Sequence, residues 1–177
     1  MRTILILFLL FPFIVTPQDK ILDRELFEFT NDGLKPLSLK VEVDGVSSEE
    51  LYFKAIKWLE ETDNSIKDCT IKLKSNTKNE KITISGHLDF YLCEFTKKIK
   101  FKCYDTRFTI DLLFSDGSYS INPKSLKYEA NNKTLCLPIK LNKKSKTIYK
   151  SDGTVRRSFI YFPSTIKTIF NVIDISF

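Results

Sequence analysis

Apolar and polar residues alternate along much of this chain, and a helical spacing replaces the alternation at two places. In PLSLKVEV, residues 36–43, Leu37, Leu39, Val41 and Val43 point one way and Ser38, Lys40 and Glu42 the other, the period of a half-buried strand. An Asp44-Gly45 turn follows. Leu51, Tyr52, Ala55, Ile56, Trp58 and Leu59 then recur at helical spacing opposite Glu49, Lys57 and Glu60, which predicts a helix over about 47–61. Its start is fully specified. The Ser47 hydroxyl can accept from an otherwise unpaired first-turn N–H, Glu50 can reach back to complete a capping box, and Val46 and Leu51 hold the hydrophobic-staple positions. Trp58 on this stripe reads as core, where each large side chain contributes about 1.5–3 kcal/mol.

Strands follow in series. DCTIKLKS places Cys69, Ile71 and Leu73 on one face; EKITISGHLDF aligns Ile82, Ile84, Leu88 and Phe90, with Gly86 marking a bulge or a close approach. KIKFKCY aligns Ile99, Phe101 and Cys103, whereas Phe108, Ile110, Leu112 and Phe114 are in the opposite phase, so a bulge or bend is expected near Asp105–Arg107. Asp116-Gly117 predicts a hairpin turn. TLCLPIKL reads as a short strand, and Asp152-Gly153 as a second hairpin between TIYK and TVRRSFIYF. The tail opens on Pro163-Ser164 and spaces Ile166, Ile169, Phe170 and Ile173 helically, so it predicts a terminal helix. The expected architecture is one α+β domain over residues 36–177, in which 131–177 extends a core of 36–130, with residues 19–35 a charged leader across its surface.

Composition adds a compartment. Residues 1–18 carry Arg2 and then an uncharged run, Ile4 to Val15, too short for the roughly 20 residues that span a bilayer core but suited to a signal peptide cut near Gln18. No transmembrane segment would remain, and the expected location is exported: periplasmic, envelope-associated or secreted. Loss of Arg2 takes the formal charge from +6 to +5. Cys69, Cys93, Cys103 and Cys136 would travel with the chain. A Cys93–Cys103 bridge across one strand pair is one option; free cysteines acting as small hydrophobes in strand phases are the other.

The order LKVEVDGVSSEELYFKAIKWLEE, DCTIKLKS, EKITISG, a long strand and a DG hairpin resembles the secreted bacterial family called domain of unknown function 4468, which has a fold like the TATA-binding protein (TBP). The markers are G-V-S-S-E-E-L-Y, the K-W-L of the helix and D-G-S-Y of the hairpin, within residues 36–130. Ser118 and Ser120 flank Tyr119 where the family leads one to expect a basic residue. The resemblance implies a curved antiparallel sheet with helices on one face and an envelope setting. It implies no activity and no site residues.

Chemistry-bearing patterns are sparse. His87 is the single histidine and shares a phase with Thr83 and Ser85, away from the core, so neither a histidine-based metal site nor a Ser/His or Cys/His site is expected. Asp89 with Glu94, or Asp105 with Asp111, are the carboxylate pairs a hydrolase would need. Five glycines leave no phosphate loop, and no cofactor is expected. The basic runs offer more. Lys98, Lys100 and Lys102 form a row on one strand face, and Lys143, Lys144 and Lys146 a basic loop, a candidate patch for an anionic surface or an envelope partner. Nucleic acid is set aside, because arginine is scarce and export removes the chain from the genome. An exported, non-enzymatic binding module is the expectation, with a carboxylate hydrolase as the alternative.

Overall fold

The protein is described by a computed structural model over residues 27–62, 69–95, 101–130 and 135–171; the expected signal peptide, Lys98 and Lys100 lie outside these. A short hairpin, β1 (Glu28–Thr30) with β2 (Gly33–Lys35), precedes a six-stranded antiparallel sheet. Its strands are β3 (Leu39–Glu42), β4 (Cys69–Thr77), β5 (Lys81–Phe95), β6 (Phe101–Ser115), β7 (Ser118–Ala130) and β8 (Leu135–Ile139). They are ordered β3-β7-β6-β5-β4, with β8 pairing β7 farther along the edge that β3 occupies. Helices α1 (Ser48–Thr62) and α2 (Phe162–Asn171) cover one face. Tyr52 of α1 meets Phe114 edge-on at one end of that face, and Phe162 of α2 meets Tyr128 at the other. This is the α+β architecture that the alternation predicts.

Local chemistry explains the elements. Ser47 N donates to Glu50 Oε2 at 2.9 Å and Glu50 N to Ser47 Oγ at 3.3 Å, the reciprocal bonds of a capping box. Leu51, Ala55 and Leu59 face the sheet, and Trp58 is half-buried against it. Asp116-Gly117 makes the tight β6–β7 turn, Gly117 taking the positive φ of 73° that glycine accepts without steric cost. The same turn locks the helix start, because Asp116 Oδ1 accepts from Ser48 N at 2.8 Å. Cys93 and Cys103 are register partners on β5 and β6 and are bridged; the side chains of Cys69, Phe90 and Cys136 fall outside those described.

Several expectations change. β6 keeps one phase: Tyr104, Thr106, Phe108, Ile110, Leu112 and Phe114 are all buried, while Phe101 is 59% exposed. The extra residues sit on β5, where Leu88 to Leu92 oppose Thr106 to Tyr104, so the irregularity is at 89–91 and not at Asp105–Arg107. Leu37 and Leu73 are exposed, because β3 starts only at Leu39 and edge strand β4 shifts register after Leu73. Gly86 is a close approach, lying under the Phe108 ring. The second hairpin shrinks to a turn closed by one bridge, Tyr149 to Val155, and the chain then enters a 3-10 turn at Arg157–Phe159.

The leader is corrected most. Phe27, Phe29 and Leu34 are buried, so residues 27–35 belong to the core. Asn171 at the end of α2 bonds both the N–H and the carbonyl of Phe27, the Tyr149 hydroxyl donates to the Phe29 carbonyl, and Leu34 N donates to the Leu141 carbonyl. The charges of this segment occupy the outward positions of a strand pair, and its aromatic residues fill the space beside α2.

Candidate functional site

Period-two alternation that buries one set of side chains sets the other set on the opposite face. Register then assembles cross-strand rows from single residues. Thr70 pairs with His87, His87 with Arg107 and Arg107 with Lys127. A parallel row runs Lys72, Ser85, Thr109, Ser125. Together these two rows line an open depression of about 490 Å³ on the face away from the helices, with the Gly86 backbone as part of its floor. Four hydroxyls, three cations and one imidazole converge there.

The charges are not equivalent. Arg107 Nη2 lies 2.5 Å from Oε1 of buried Glu129, so its guanidinium is anchored and its charge largely answered. Lys72 and Lys127, both exposed, supply the outward positive charge. One row farther along, burial pushes the Asp111 carboxyl up, but hydrogen bonds from Lys81 and Thr83 and the nearby Lys124 outweigh it and hold the group below the usual carboxylate range.

At the other end, His87 Nε2 stands 3.7 Å from Asp89 Oδ1 and 4.0 Å from Asp105 Oδ2, beyond hydrogen-bond range. The ligand atoms of these three residues lie within 4.8 Å of one another, close enough to share a cation, a juxtaposition that counting histidines did not anticipate. Of the carboxylate pairs named from sequence, Asp105 and Asp111 do not meet, being six residues apart along β6, about 20 Å at strand rise. Asp89 stands beside His87 and Asp105, and Glu94 accepts from the Tyr104 hydroxyl. Burial, then the Glu94 hydrogen bond, pushes the Tyr104 hydroxyl well above its ordinary range.

The lysines singled out from sequence sit elsewhere. Lys102 is on β6 with its ammonium 5.1 Å from the Tyr104 ring centre, and its row partners Lys98 and Lys100 lie outside the described residues. Lys143, Lys144 and Lys146 occupy the loop after β8, where Lys144 Nζ donates to the Ser151 carbonyl. None of the four described lysines lines the depression. Lys72, Arg107 and Lys127 were missed because they come from three different strands, far apart in sequence; the signal each carried was its outward phase.

A second depression, of about 400 Å³, opens where β7 lacks a neighbour between the start of β3 at Leu39 and the end of β8 at Ile139. Leu37, Pro123 and Pro138 give it apolar walls, Lys124 and Lys140 add charge, and Ser125 and Lys127 line it as well as the first. Among the described residues no helix is long and apolar enough to cross a membrane.

No family model matches the sequence, and no curated protein matches it. Among solved structures, the chain is similar to a DUF4468 family protein from Bacteroides ovatus, at 14% identity and a TM-score of 0.49, over 77% of this chain and 76% of that one. It is also similar to a TBP-like protein from Parabacteroides distasonis, at 15% identity and a TM-score of 0.47, over 76% and 81%. The first bears the family name that the markers within residues 36–130 suggested, and the similarity to both is one of structure at low sequence identity.

Proposed function

We propose that this protein is an exported, non-enzymatic binding module that holds an anionic envelope component on the uncovered face of its sheet. One observation carries the reading: Lys72, Arg107 and Lys127, each from a different strand, converge with four hydroxyls on one open depression. Ammonium and guanidinium groups beside hydroxyl donors suit carboxylate, sulfate or phosphate oxygens, and a face built on paired strands holds them in fixed positions. Glu129 keeps the Arg107 fork in place before a ligand arrives, which lowers the ordering cost of binding.

The test is calorimetric titration with dextran sulfate against neutral dextran. The protein is expected to bind only the sulfated polymer, more weakly as salt rises. A K72Q/K127Q variant loses two charge-assisted contacts at about 1.5 kcal/mol each, so its affinity falls at least tenfold while its thermal midpoint holds. A K143Q/K144Q/K146Q variant keeps its affinity. Loss in the second variant and not in the first would move the site to the loop and overturn this reading.

A further inference from the structure

The two depressions on this sheet adjoin. They share Ser125 and Lys127, and the cross-strand row that begins at Thr70, His87 and Arg107 passes through Lys127 to Pro138 on β8. The row therefore crosses five strands, a distance of four spacings or roughly 19 Å, and the two recesses meet at Ser125 and Lys127. Cations recur along it: Lys72 on β4, Arg107 on β6, Lys127 on β7 and Lys140 just beyond β8. A single phosphate or sulfate would fill a fraction of such a trough. A chain with a repeating negative charge would fill all of it.

The walls narrow the chemistry. No Phe, Tyr or Trp lines either recess and His87 is the single aromatic ring there, so the trough lacks the series of stacking platforms on which single-stranded nucleic acids rest. Hydroxyls at Thr70, Ser85, Thr109 and Ser125 instead match a ligand rich in hydroxyls, and Leu37, Pro123 and Pro138 offer apolar surface to the C–H faces of sugar rings. The cations line a recess, which a planar bilayer would meet only at its rim. Resting on the binding reading above, we infer that the trough takes an acidic glycan, lying across the strands from β4 to β8.

Heparin-derived oligosaccharides, which carry both carboxylates and sulfates, test this by length, from disaccharide to octasaccharide, at one low salt concentration. Affinity is expected to rise at least tenfold with length and then level off once the trough is spanned. K140Q lowers affinity for the octasaccharide severalfold and leaves the disaccharide unchanged, because Lys140 sits at the far end. Length-independent affinity that still depends on Lys72 and Lys127 would overturn the glycan trough and leave a point anion site standing. Affinity indifferent to K72Q/K127Q, or no binding at all, would overturn both. Binding to phosphatidylglycerol vesicles with none to the oligosaccharides would likewise reject the glycan in favour of a lipid surface.

Discussion

Gly86 occupies a point on the sheet where any side chain meets an aromatic ring. A Cβ placed there would lie 2.0 Å from Cζ of Phe108, its register partner on β6. The ring covers the glycine backbone, excluding water from the strand pair on the helix side while Ser85 and His87 flank it on the other. Gly86→Ala is therefore expected to cost about 1–3 kcal/mol, the usual range for forcing atoms into a filled core. Combined with Phe108→Leu it should cost less than the two single changes summed, which a denaturant double-mutant cycle reads directly. The glycine was legible as a close approach from its place inside a strand pattern. Its partner was not, because Phe108 lies 22 positions away (108 − 86) and is brought opposite only by register.

Elements divide into those specified by their own residues and those specified by what covers them. Helix α1 is of the first kind, since its capping box and apolar stripe lie within one segment and reappear unchanged in the structure. The β1–β2 hairpin is of the second. Three residues per strand cannot hold a hairpin in water, and its stability comes from α2 and the Tyr149 segment. Leu34, 2% exposed, is the discriminating position. If the segment lay loosely on the surface, Leu34→Ala would be neutral; packed as it is, the change should cost about 2–5 kcal/mol, measured as a fall in the urea midpoint at constant slope. β5 and β6 show the same dependence. Alternation along β6 suggested a phase break, yet β5 absorbs the extra residues, and only the pairing of the two strands decides which one bends.

Across the whole molecule the sheet separates two kinds of work: helices and aromatic rings on one face, cations and hydroxyls on the other. Asp111 ties three strands together on the polar face, accepting from Thr83 and Lys81 of β5 while Lys124 of β7 stands at 3.6 Å. Its folded pKa lies below the unfolded value of about 3.9. The stabilisation is therefore complete above that value and is lost as pH falls through the lower, folded one. Asp111→Asn is expected to cost about 1–3 kcal/mol at neutral pH by removing the charged acceptor. It should also flatten the fall in stability below about pH 4, which thermal melts from pH 2 to pH 7 would display. An unchanged acid limb in the variant would mean that other carboxylates govern acid unfolding.

Short-range features came from the chain alone: the α+β class, the start of α1, the Asp116-Gly117 turn, the terminal helix and the outward phase of His87. Each depends on residues within a few positions of one another, where backbone preference and alternation act directly. Tertiary structure decided the rest. It drew residues 27–35 into the core, made Cys93 and Cys103 partners, and set Asp89 and Asp105 beside His87. It also aligned Lys72, Arg107 and Lys127, which stand apart in sequence among apolar neighbours and become one surface only through strand register. The lysine-rich runs drew notice because their charges are adjacent in the chain. The candidate site is built from cations adjacent only in space, since a sheet gathers one residue from each strand and no local pattern records the gathering.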